Sequence, residues 1–372
     1  MFQERVLFIA YPLLTVSEES AGGAEQMLWT LEREMSARGI STVVAASAGS
    51  CVTGEMFSTG EPCTQPDDFE RRNREHQERV VEFIRARVRQ GSPFDLVHDH
   101  SGGFWSRAAE IDVPLLATLH LPRHFYPAHY FENVPKSVAF NCVSASQAGD
   151  FSDLKSMPAV IPNGILLERF QANPVLRNDV QRNSVPRQGL LWLGRICEEK
   201  GAHLALELAA RAGLNITIAG QVYPFTYHRQ YFEREIAPRL AKMRNATFIS
   251  SPSAEQKRHL LRRARAVLIT SLVDETSSLV AMEAAASGAP VVAFRAGALP
   301  EIVRDGVTGF LVDGVDGALH SLDEIEQIRP EVCIQHARDN FSSKTMSRQY
   351  AKLYTQLQQR RPRQTQTETL PV

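Results

Sequence analysis

One segment of the sequence restricts the fold more than any other: two short apolar runs separated by a polar loop and a helix. The runs are Ala266–Ser271 and Pro290–Phe294, and both are rich in aliphatic and β-branched residues. Between them, Leu279–Ala286 consists mainly of helix-forming residues, and the hydroxyls of Thr276–Ser278 can cap its first turn. Gly288 suits the position after the helix, and the proline that opens the second run prevents continuation. A strand, a helix and a strand in this order predict a βαβ unit of a parallel sheet.

Two carboxylates frame this loop and helix. Glu275 precedes the first helical turn, and Glu283 comes about two turns later. In an open α/β sheet, ligands bind where strands end and helices begin, and a helix N-terminus favours an anion such as phosphate. Glu283, deeper along the helix, can accept hydrogen bonds from sugar hydroxyls. A solvated surface helix with two unrelated acids is the simpler explanation of this spacing taken alone.

The sequence around the two acids favours a functional role. Glu275-x7-Glu283, followed by Ala-Ala-Ala-Ser-Gly-Ala-Pro, resembles the nucleotide-sugar signature of the GT-B glycosyltransferases, specifically the retaining family 4. The segment Gly297–Val312 also resembles that family's pattern. The chain departs from the family at Thr276–Ser278, where members often carry Pro-Phe-Gly. A β-carbon therefore replaces a glycine close to the expected donor sugar, which affects the identity of the sugar more than the presence of a nucleotide.

The composition is compatible with two domains and excludes several classes of protein. A chain of 372 residues is long for one core, and its 43% hydrophobic and 22% charged residues are ordinary for a soluble globular protein. The net charge of −1 gives no general attraction to nucleic acid, so we expect no nucleic-acid partner. No apolar run approaches the ~20 residues of a membrane span.

The cysteines and the start of the chain bear on its compartment. Five scattered cysteines without a C-x-x-C pair argue for reduced thiols rather than disulfides or a structural zinc. No signal peptide precedes the first apolar run, so we expect a cytoplasmic protein. Residues 50–77 are predicted to be an irregular surface excursion, and Glu78–Arg89 an amphipathic helix. The arginines of this helix allow at most peripheral membrane contact, although three arginines are more often a solvated face.

A glycine pair follows the first predicted strand. The apolar run Arg5–Ala10 predicts a buried strand, and Ser20–Glu25 joins it to a helix that ends near Arg38. Such a pair is usually only a turn, but between a strand and a helix it permits close approach of a phosphate. The resemblance implies that this loop faces the donor diphosphate, with Gly22 and Gly23 as its glycines.

Histidines follow two further strands of the first half. The tripeptide His98–His100 closes a strand predicted to begin at Phe94. Because adjacent strand residues point to opposite faces, only the two histidines can converge, and we favour a wall of the acceptor pocket over a metal site. Position alone leaves His120, at the end of Pro114–His120, equally compatible with a core role. The resemblance implies a functional role, because family members carry a functional histidine at the end of this strand.

Two basic residues lie on the first strand-to-helix loop of the second half. Leu190–Arg195 contains its first predicted strand, and Lys200 precedes a glycine at the start of a helix. Ordinary surface charge would also explain such a pair. The resemblance implies that Arg195 and Lys200 hold the donor diphosphate, and two cations stabilise the charge that grows on a leaving diphosphate.

The resemblance supplies the complete site prediction. The expected catalytic residues are His120, Arg195, Lys200 and Glu275. The expected nucleotide-sugar contacts are Gly22, Gly23, Arg195, Lys200, Glu275, Ser278, Leu279, Val280 and Glu283. No metal and no cofactor are expected, because no Asp-x-Asp lies at a strand end in a donor setting and the basic pair does what a metal does elsewhere. No side chain stands out as a covalent nucleophile, which agrees with the front-face attack that the family implies.

The implied fold is α/β with GT-B architecture, in which two Rossmann-like, doubly wound parallel-sheet domains face a central cleft. Residues 1–170 are expected to form the acceptor domain, 171–187 the linker and 188–344 the donor domain. A helix at about 345–357 is expected to pack back on the first domain. Residues 358–372 are expected to be a disordered tail.

The implied reaction moves a sugar from a nucleotide-diphosphate sugar to an acceptor hydroxyl, with retention of anomeric configuration and without a metal. The sequence specifies neither the donor's base and sugar nor the acceptor, which is a glycan, a lipid or a small metabolite. A GT-B-like protein that binds nucleotide sugars without transferring them, and a nucleotide-sugar epimerase, are alternatives. A GT-B phosphorylase would contain pyridoxal phosphate, whose Schiff base an absorption spectrum would detect. A dinucleotide oxidoreductase is disfavoured, because Ser20–Glu25 does not supply G-x-G-x-x-G.

Overall fold

The computed structural model describes residues 4–20, 22–63, 65–170 and 187–359, which form two β-sheets, one after the other along the chain. The first sheet has seven strands: β1 Arg5–Ile9, β2 Ser41–Ala46, β3 Glu55–Ser58, β4 Leu96–Asp99, β5 Leu115–Leu119, β6 Val138–Cys142 and β7 Ala159–Val160. The second sheet has six: β8 Leu190–Leu193, β9 Ile216–Gly220, β10 Ala246–Ser250, β11 Ala266–Ile269, β12 Val291–Phe294 and β13 Gly309–Val312. All strand pairings in these ranges are parallel.

Helices connect the strands. In chain order they are α1 Gly23–Ala37, α2 Phe69–Arg89, α3 Ala145–Gly149, α4 Ala202–Ala212, α5 Thr226–Tyr231, α6 Ala237–Lys242, α7 Ala254–Arg263, α8 Leu279–Ala286, α9 Leu299–Ile302, α10 Val315–Glu324, α11 Pro330–Asn340 and α12 Ser343–Gln359. A π-helical turn, Phe232–Ile236, joins α5 to α6. Within the described ranges, no helix combines the length and the apolar character that crossing a membrane requires.

Both faces of each sheet are covered, because alternate strand residues are buried on opposite sides. In β1, Leu7 and Ile9 belong to the core that includes residues of α2. Val6 and Phe8 belong to the core on the other face, formed with α1 and α12. In the second sheet the two cores are formed with α8 and α11 on one face and with α4 and α10 on the other. The predicted fold class, two Rossmann-like parallel-sheet domains, is confirmed.

The strand orders define one crevice in each domain. The first sheet runs β3-β2-β1-β4-β5-β6-β7, and the second runs β10-β9-β8-β11-β12-β13. Strand order therefore reverses between β1 and β4, and again between β8 and β11. In doubly wound sheets, ligands bind outside the carboxyl ends of the strands at such a switch point. The loops after these four strands carry, in that order, Gly22, His100, Arg195 and Glu275.

The region between β2 and β4 is more regular than the sequence predicts. Residues predicted to be irregular contain the edge strand β3, and α2 begins at Phe69 instead of Glu78. The strand has no apolar alternation, and besides its backbone pairing with β2 it is held by Phe57, whose ring stacks on that of Phe83 with centroids 3.9 Å apart. The added helical turns are polar and carry local ion pairs, including that of Arg72 with Glu75 at 2.6 Å. Neither element leaves a hydrophobic pattern in the sequence.

The last helix completes the core of the first domain. It packs against α1 and buries Tyr350 and Tyr354. The hydroxyl of Tyr354 lies 2.6 Å from Nδ1 of His98, and Nε2 of the same ring lies 2.7 Å from Oγ1 of Thr118. His98 is fully buried, so the prediction that it lines an acceptor pocket is wrong for this residue. The long side chains of α12 cover the strand end that the sequence leaves open.

Two predicted segments fall mainly outside the described residues. Of the linker predicted at 171–187, the structure describes only Arg187. Of the tail predicted at 358–372, Gln358 and Gln359 are the last residues of α12, and 360–372 lie outside the described residues.

Tyr354→Phe tests the contact between α12 and β4. The substitution removes the hydroxyl that bonds Nδ1 of buried His98, and it leaves that nitrogen without a partner. We expect the free energy of unfolding to fall by about 1–3 kcal/mol, the usual cost of an unsatisfied buried polar group. Chemical denaturation measures this change, and Thr355→Val, at an exposed position of the same helix, should change stability by less than about 0.5 kcal/mol. Equal stability of both variants would contradict a structural role of this hydrogen bond.

Candidate active site

The loop between β11 and α8 has a fixed backbone. Ser278 caps α8, since its hydroxyl accepts a hydrogen bond from the backbone N–H of Ala281 at 3.3 Å. The other side of the loop rests on Gly297 and Ala298. Ala298 N–H donates to the carbonyl of Glu275 at 2.7 Å, and a β-carbon at Gly297 would lie 2.3 Å from the same oxygen. Gly297 also has φ +53°, so only glycine fits this contact.

The Glu275 carboxylate is bound within its own domain. Lys200 Nζ lies 2.6 and 2.7 Å from its two oxygens, and Ser271 Oγ donates a further, short hydrogen bond. Glu275 is 8% exposed, so the pair is partly withdrawn from water. The structure therefore brings together two residues that the sequence separates by 75 positions. A positive and a negative group side by side can bind a phosphate and a sugar hydroxyl, respectively.

Arg195 lies beside a second cluster of polar groups. Its Nη2 is 3.6 Å from an oxygen of Glu199. Cys197, Glu199 and His228 offer ligand atoms within 4.8 Å of one another, and they are the residues of the described chain best placed to hold a metal. Burial raises the pKa of the Cys197 thiol to about 12, so binding of a metal here would have to release the thiol proton. The Arg195 charge also opposes a second cation here.

The glycine loop of the first domain, which contains Gly22 and Gly23, faces the second domain. Gly22 is the N-cap of α1, and a β-carbon at Gly23 would lie 3.9 Å from Cδ1 of Leu279, the first residue of α8. The two helix N-termini therefore meet across the cleft. At Gly22 a β-carbon would lie 1.9 Å from Oε2 of Glu25, so the carboxylate of this residue sits directly on the loop.

Glu25 is a buried acid in the predicted phosphate-binding loop. Glu25 is 5% exposed, and burial raises the pKa of its carboxyl to about 7. A hydrogen bond from its own backbone and the charge of Arg195 partly offset this rise, because both lower the pKa. Since Glu25 belongs to the first domain and Arg195 to the second, their attraction crosses the cleft. A diphosphate at this place would meet Arg195 favourably and the ionised form of Glu25 unfavourably.

Glu283 lies in a small cavity between the two domains. Its carboxylate accepts a hydrogen bond from Lys257 Nζ at 2.7 Å and is 5% exposed. The cavity measures about 60 Å³, and its walls include Trp29 and Arg169 of the first domain. Small-molecule pockets usually measure roughly 300–1,000 Å³. The cavity at Glu283 is therefore much smaller than a usual small-molecule pocket.

His120 connects the two sides of the cleft. Its backbone N–H donates to the hydroxyl of Tyr126 at 2.9 Å, and its carbonyl accepts from the hydroxyl of Thr276 at 2.8 Å. Its Nε2 lies 2.9 Å from Nδ1 of His100. Burial lowers the pKa of His120 to about 4, so the ring is neutral at pH 7. Thr276 belongs to the loop before α8, so the second domain contacts the backbone of the predicted catalytic histidine.

The predicted residues converge from both sheets. Arg195, Lys200, Glu275, Ser278, Leu279, Val280 and Glu283 lie on the loops and helix at the carboxyl edge of the second sheet, and Gly22, Gly23 and His120 lie at that edge of the first. Glu283 is set apart from the Lys200–Glu275 pair by its own partner, Lys257.

The sequence analysis missed three residues that hold this site: Glu25, Lys257 and Tyr126. It named Thr276 only as a possible helix cap, whereas Ser278 caps α8 and Thr276 donates to the carbonyl of His120. A signal existed for Glu25, because it lies on the same helical stripe as Leu28 and Met35 and so points inward. Nothing in the sequence marks Lys257 or Tyr126, whose contacts come from distant segments.

Glu25→Gln tests the burial of this acid through the pH dependence of stability. The folded-state pKa is above the unfolded value of 4.5, so the carboxyl costs stability progressively as pH rises from 4.5 to about 7. Gln carries no such cost. Relative to the wild type, the variant should therefore gain about 2–3 kcal/mol of unfolding free energy between pH 5 and pH 8, at about 1.4 kcal/mol per pKa unit. Denaturation at both pH values measures this gain, and Glu19→Gln, at an exposed position, should show none. A gain of the same size in both variants would contradict the assignment.

Two family models match the chain, one in each half. Residues 21–169 match the model described as Glycosyltransferase Family 4, and residues 179–338 match the model described as Glycosyl transferases group 1. The first match contains the glycine loop and His120, and the second contains Arg195, Lys200 and both glutamates.

Curated relatives resemble the chain at moderate identity. A D-inositol 3-phosphate glycosyltransferase of Corynebacterium efficiens is 29% identical over 327 residues, which cover 74% of each chain. A lipopolysaccharide 1,2-N-acetylglucosaminetransferase of Salmonella typhimurium is 24% identical over 202 residues, 52% of this chain and 48% of that one. The match to the second relative thus spans about half of its length.

Solved structures share the fold over almost the whole chain. Anabaena HepE in complex with UDP and glucose has a TM-score of 0.73 at 17% identity, covering 95% of this chain and 100% of that one. Sucrose-phosphate synthase from Thermosynechococcus elongatus has a TM-score of 0.75 at 18% identity, covering 95% and 99%. With family models matching both halves of the sequence and this architecture, the chain belongs to the glycosyltransferases of GT-B fold.

Proposed function

We propose that this protein is a retaining, metal-independent hexosyltransferase of family 4, which moves a sugar from a nucleotide-diphosphate sugar to an acceptor hydroxyl. One observation carries the proposal: Arg195, Lys200 and Glu275 lie at the switch point of the second sheet, and His120 approaches them through Thr276. Anabaena HepE, which shares the fold, was solved in complex with UDP-glucose, and this supports a nucleotide-diphosphate sugar as the donor.

The charges at the switch point suit a departing diphosphate. Lys200 and Arg195 are the cations there, and the N-termini of α1 and α8 add partial positive charge. When a diphosphate binds Lys200, this lysine can release Glu275, whose oxygens then accept hydrogen bonds from the donor sugar. Cations and N–H groups that are already oriented toward the charge that develops in the transition state lower the barrier to bond cleavage. In this proposal they take the place of a metal ion.

His120 and the leaving group complete the reaction. The neutral imidazole stands across the cleft from the diphosphate site, where its dipole can stabilise positive charge at the anomeric carbon. The acceptor hydroxyl attacks from the same face that the diphosphate leaves, and a phosphate oxygen takes the hydroxyl proton. One bond breaks between the anomeric carbon and the phosphate oxygen, and one forms to the acceptor oxygen. Retention follows because attack and departure share a face.

Screening by thermal shift with UDP-, GDP- and ADP-sugars identifies the donor, and transfer assays with glycan, lipid and small-metabolite acceptors follow. Proton NMR of the product gives its anomeric configuration. An inverted product would contradict retention. Isomerised donor without acceptor would show an epimerase, and donor binding without transfer or slow hydrolysis would show a binding protein.

Donor binding should not depend on a divalent metal, because Arg195, Lys200 and the helix N-termini supply the positive charge. Calorimetry of nucleoside diphosphate binding in buffer with EDTA should give the same affinity as in buffer with Mg²⁺. Arg195→Ala should weaken binding in both buffers, whereas Arg211→Ala, on the far surface of the same domain, should not. A loss of binding in EDTA would contradict metal independence.

The two sides of the cleft should separate binding from turnover. Lys200→Ala removes a cation that touches the diphosphate throughout, so both nucleotide affinity and transfer should fall. His120→Ala should leave nucleotide affinity nearly unchanged and lower single-turnover transfer by roughly 10²–10³-fold, as for the loss of one positioned electrostatic group.

Calorimetry and single-turnover transfer are measured on each of these variants. His124→Ala, at an exposed position near the end of the same strand, is the control and should resemble the wild type in both. Normal turnover of His120→Ala would show that His120 is only a packed strand-end residue.

A further inference from the structure

A second histidine stands behind His120. The side chain of His100 is buried, with 2% exposure of the residue, and its Nδ1 lies 2.9 Å from Nε2 of His120. Its other ring nitrogen, Nε2, is buried and has no hydrogen-bond partner among the described residues. The backbone is fixed as well, since His100 N–H donates to the carbonyl of Ile9 at 2.8 Å. Nδ1 of His100 is thus bonded to His120, and Nε2 has no hydrogen-bond partner among the described residues.

The neighbouring His98 does not supply a hydrogen bond to Nε2 of His100. His98 lies against His100, with ring centroids 4.1 Å apart, but both of its nitrogens are bonded elsewhere. The hydroxyl of Thr118 donates to Asn141 at 2.7 Å, so it accepts from Nε2–H of His98. Nδ1 of His98 then accepts from the hydroxyl of Tyr354. The ring of His98 has a single tautomer and offers His100 neither a donor nor an acceptor.

The isolated nitrogen decides where the proton of His100 lies. Burial keeps the pKa of His100 well below its usual value, so the ring is neutral and carries one N–H. A proton on Nε2 would be a buried donor without an acceptor, which costs roughly 1–3 kcal/mol. A lone pair at that position costs less, because buried N–H groups are left unpaired more rarely than acceptors. The proton therefore lies on Nδ1 and is donated to His120.

We infer that His100 is a positioning residue that fixes His120 as the tautomer protonated on Nδ1. Nε2 of His120 accepts the proton of His100, so the neutral ring carries its own proton on the remaining nitrogen. His120 is part-buried, and no hydrogen bond within the described chain occupies Nδ1. The hydroxyl of Tyr126 and that of Thr276 hold its backbone from both sides.

This tautomer gives His120 one chemical role and excludes another. Its free ring nitrogen is a hydrogen-bond donor, so it recognises an oxygen with a lone pair, such as a hydroxyl of the donor sugar. It has no lone pair available to take a proton from the acceptor hydroxyl. This role of His120 rests on the proposed function, because the direction of its hydrogen bond to a sugar hydroxyl matters only if the protein transfers a sugar. The tautomer itself follows from the contacts and the burial of the two rings and does not depend on the reaction.

Nitrogen-15 NMR of the histidine rings tests the tautomer without any substrate. Correlations between ring nitrogens and ring protons distinguish Nδ1–H from Nε2–H, and His120→Asn assigns the His120 signals. We expect His120 in the wild type to be protonated on Nδ1 at pH 7. In His100→Asn, whose amide can still donate, the tautomer should persist, whereas in His100→Leu the Nε2–H form should become populated. His120 protonated on Nε2 in the wild type would overturn the inference, and this result does not require either variant to fold.

Single-turnover transfer and calorimetry on the same variants test the functional consequence. His100→Leu should lower transfer by up to roughly 10²-fold, no more than the loss of one positioned electrostatic group, while nucleotide affinity stays unchanged. His100→Asn should remain within a few-fold of the wild type, a rescue that simple loss of packing would not give. Unchanged transfer in His100→Leu with a switched His120 would overturn the positioning role. A wild type that transfers no sugar but shows the expected tautomer would contradict the proposed function and not the tautomer assignment.

Discussion

The ion pair between Lys200 and Glu275 organises the second half of the cleft. It joins the loop after β8 to the loop after β11, the two strands between which the sheet reverses its order. The Glu275 backbone is in turn held by Ala298 and by the close approach of Gly297. A cation and an anion that neutralise each other can remain partly buried, whereas either group alone would be costly at this depth. The pair thereby keeps one positive and one negative group together at the switch point of the second sheet.

Around His120 the first domain contributes neutral imidazole rings. His98, His100 and His120 are all buried enough to be uncharged at pH 7, and α12 closes the network from behind through Tyr354. Burial also favours the neutral form of Glu25, because it raises the pKa of this carboxyl to about 7. Directed hydrogen bonds therefore fix the histidines of the first sheet, whereas ion pairs fix Glu275 and Glu283 at the second.

Much of the architecture was predictable because parallel strands and their helices leave strong local patterns. The helix Leu279–Ala286 has the predicted bounds, its Ser278 cap and Gly288 at positive φ, since caps and helix ends depend on neighbouring residues. The edge strand β3 and the start of α2 were not predictable, because backbone pairing and local ion pairs leave no apolar period. The chemical types expected at the donor edge were likewise visible from Arg195, Lys200 and the two glutamates.

The sequence by itself determined which residues lie at the ends of strands and which signature they form. Only the tertiary structure decided which of them are partners: Lys200 with Glu275, Lys257 with Glu283, and His100 with His120. It also showed that His98, predicted to line a pocket, lies in the core, and that the carboxylate of Glu25 lies on the glycine loop. The physical reason is that a motif fixes the position of a residue along one strand. Hydrogen bonds and burial, which set charge and tautomer, depend on groups that other strands and domains bring into contact.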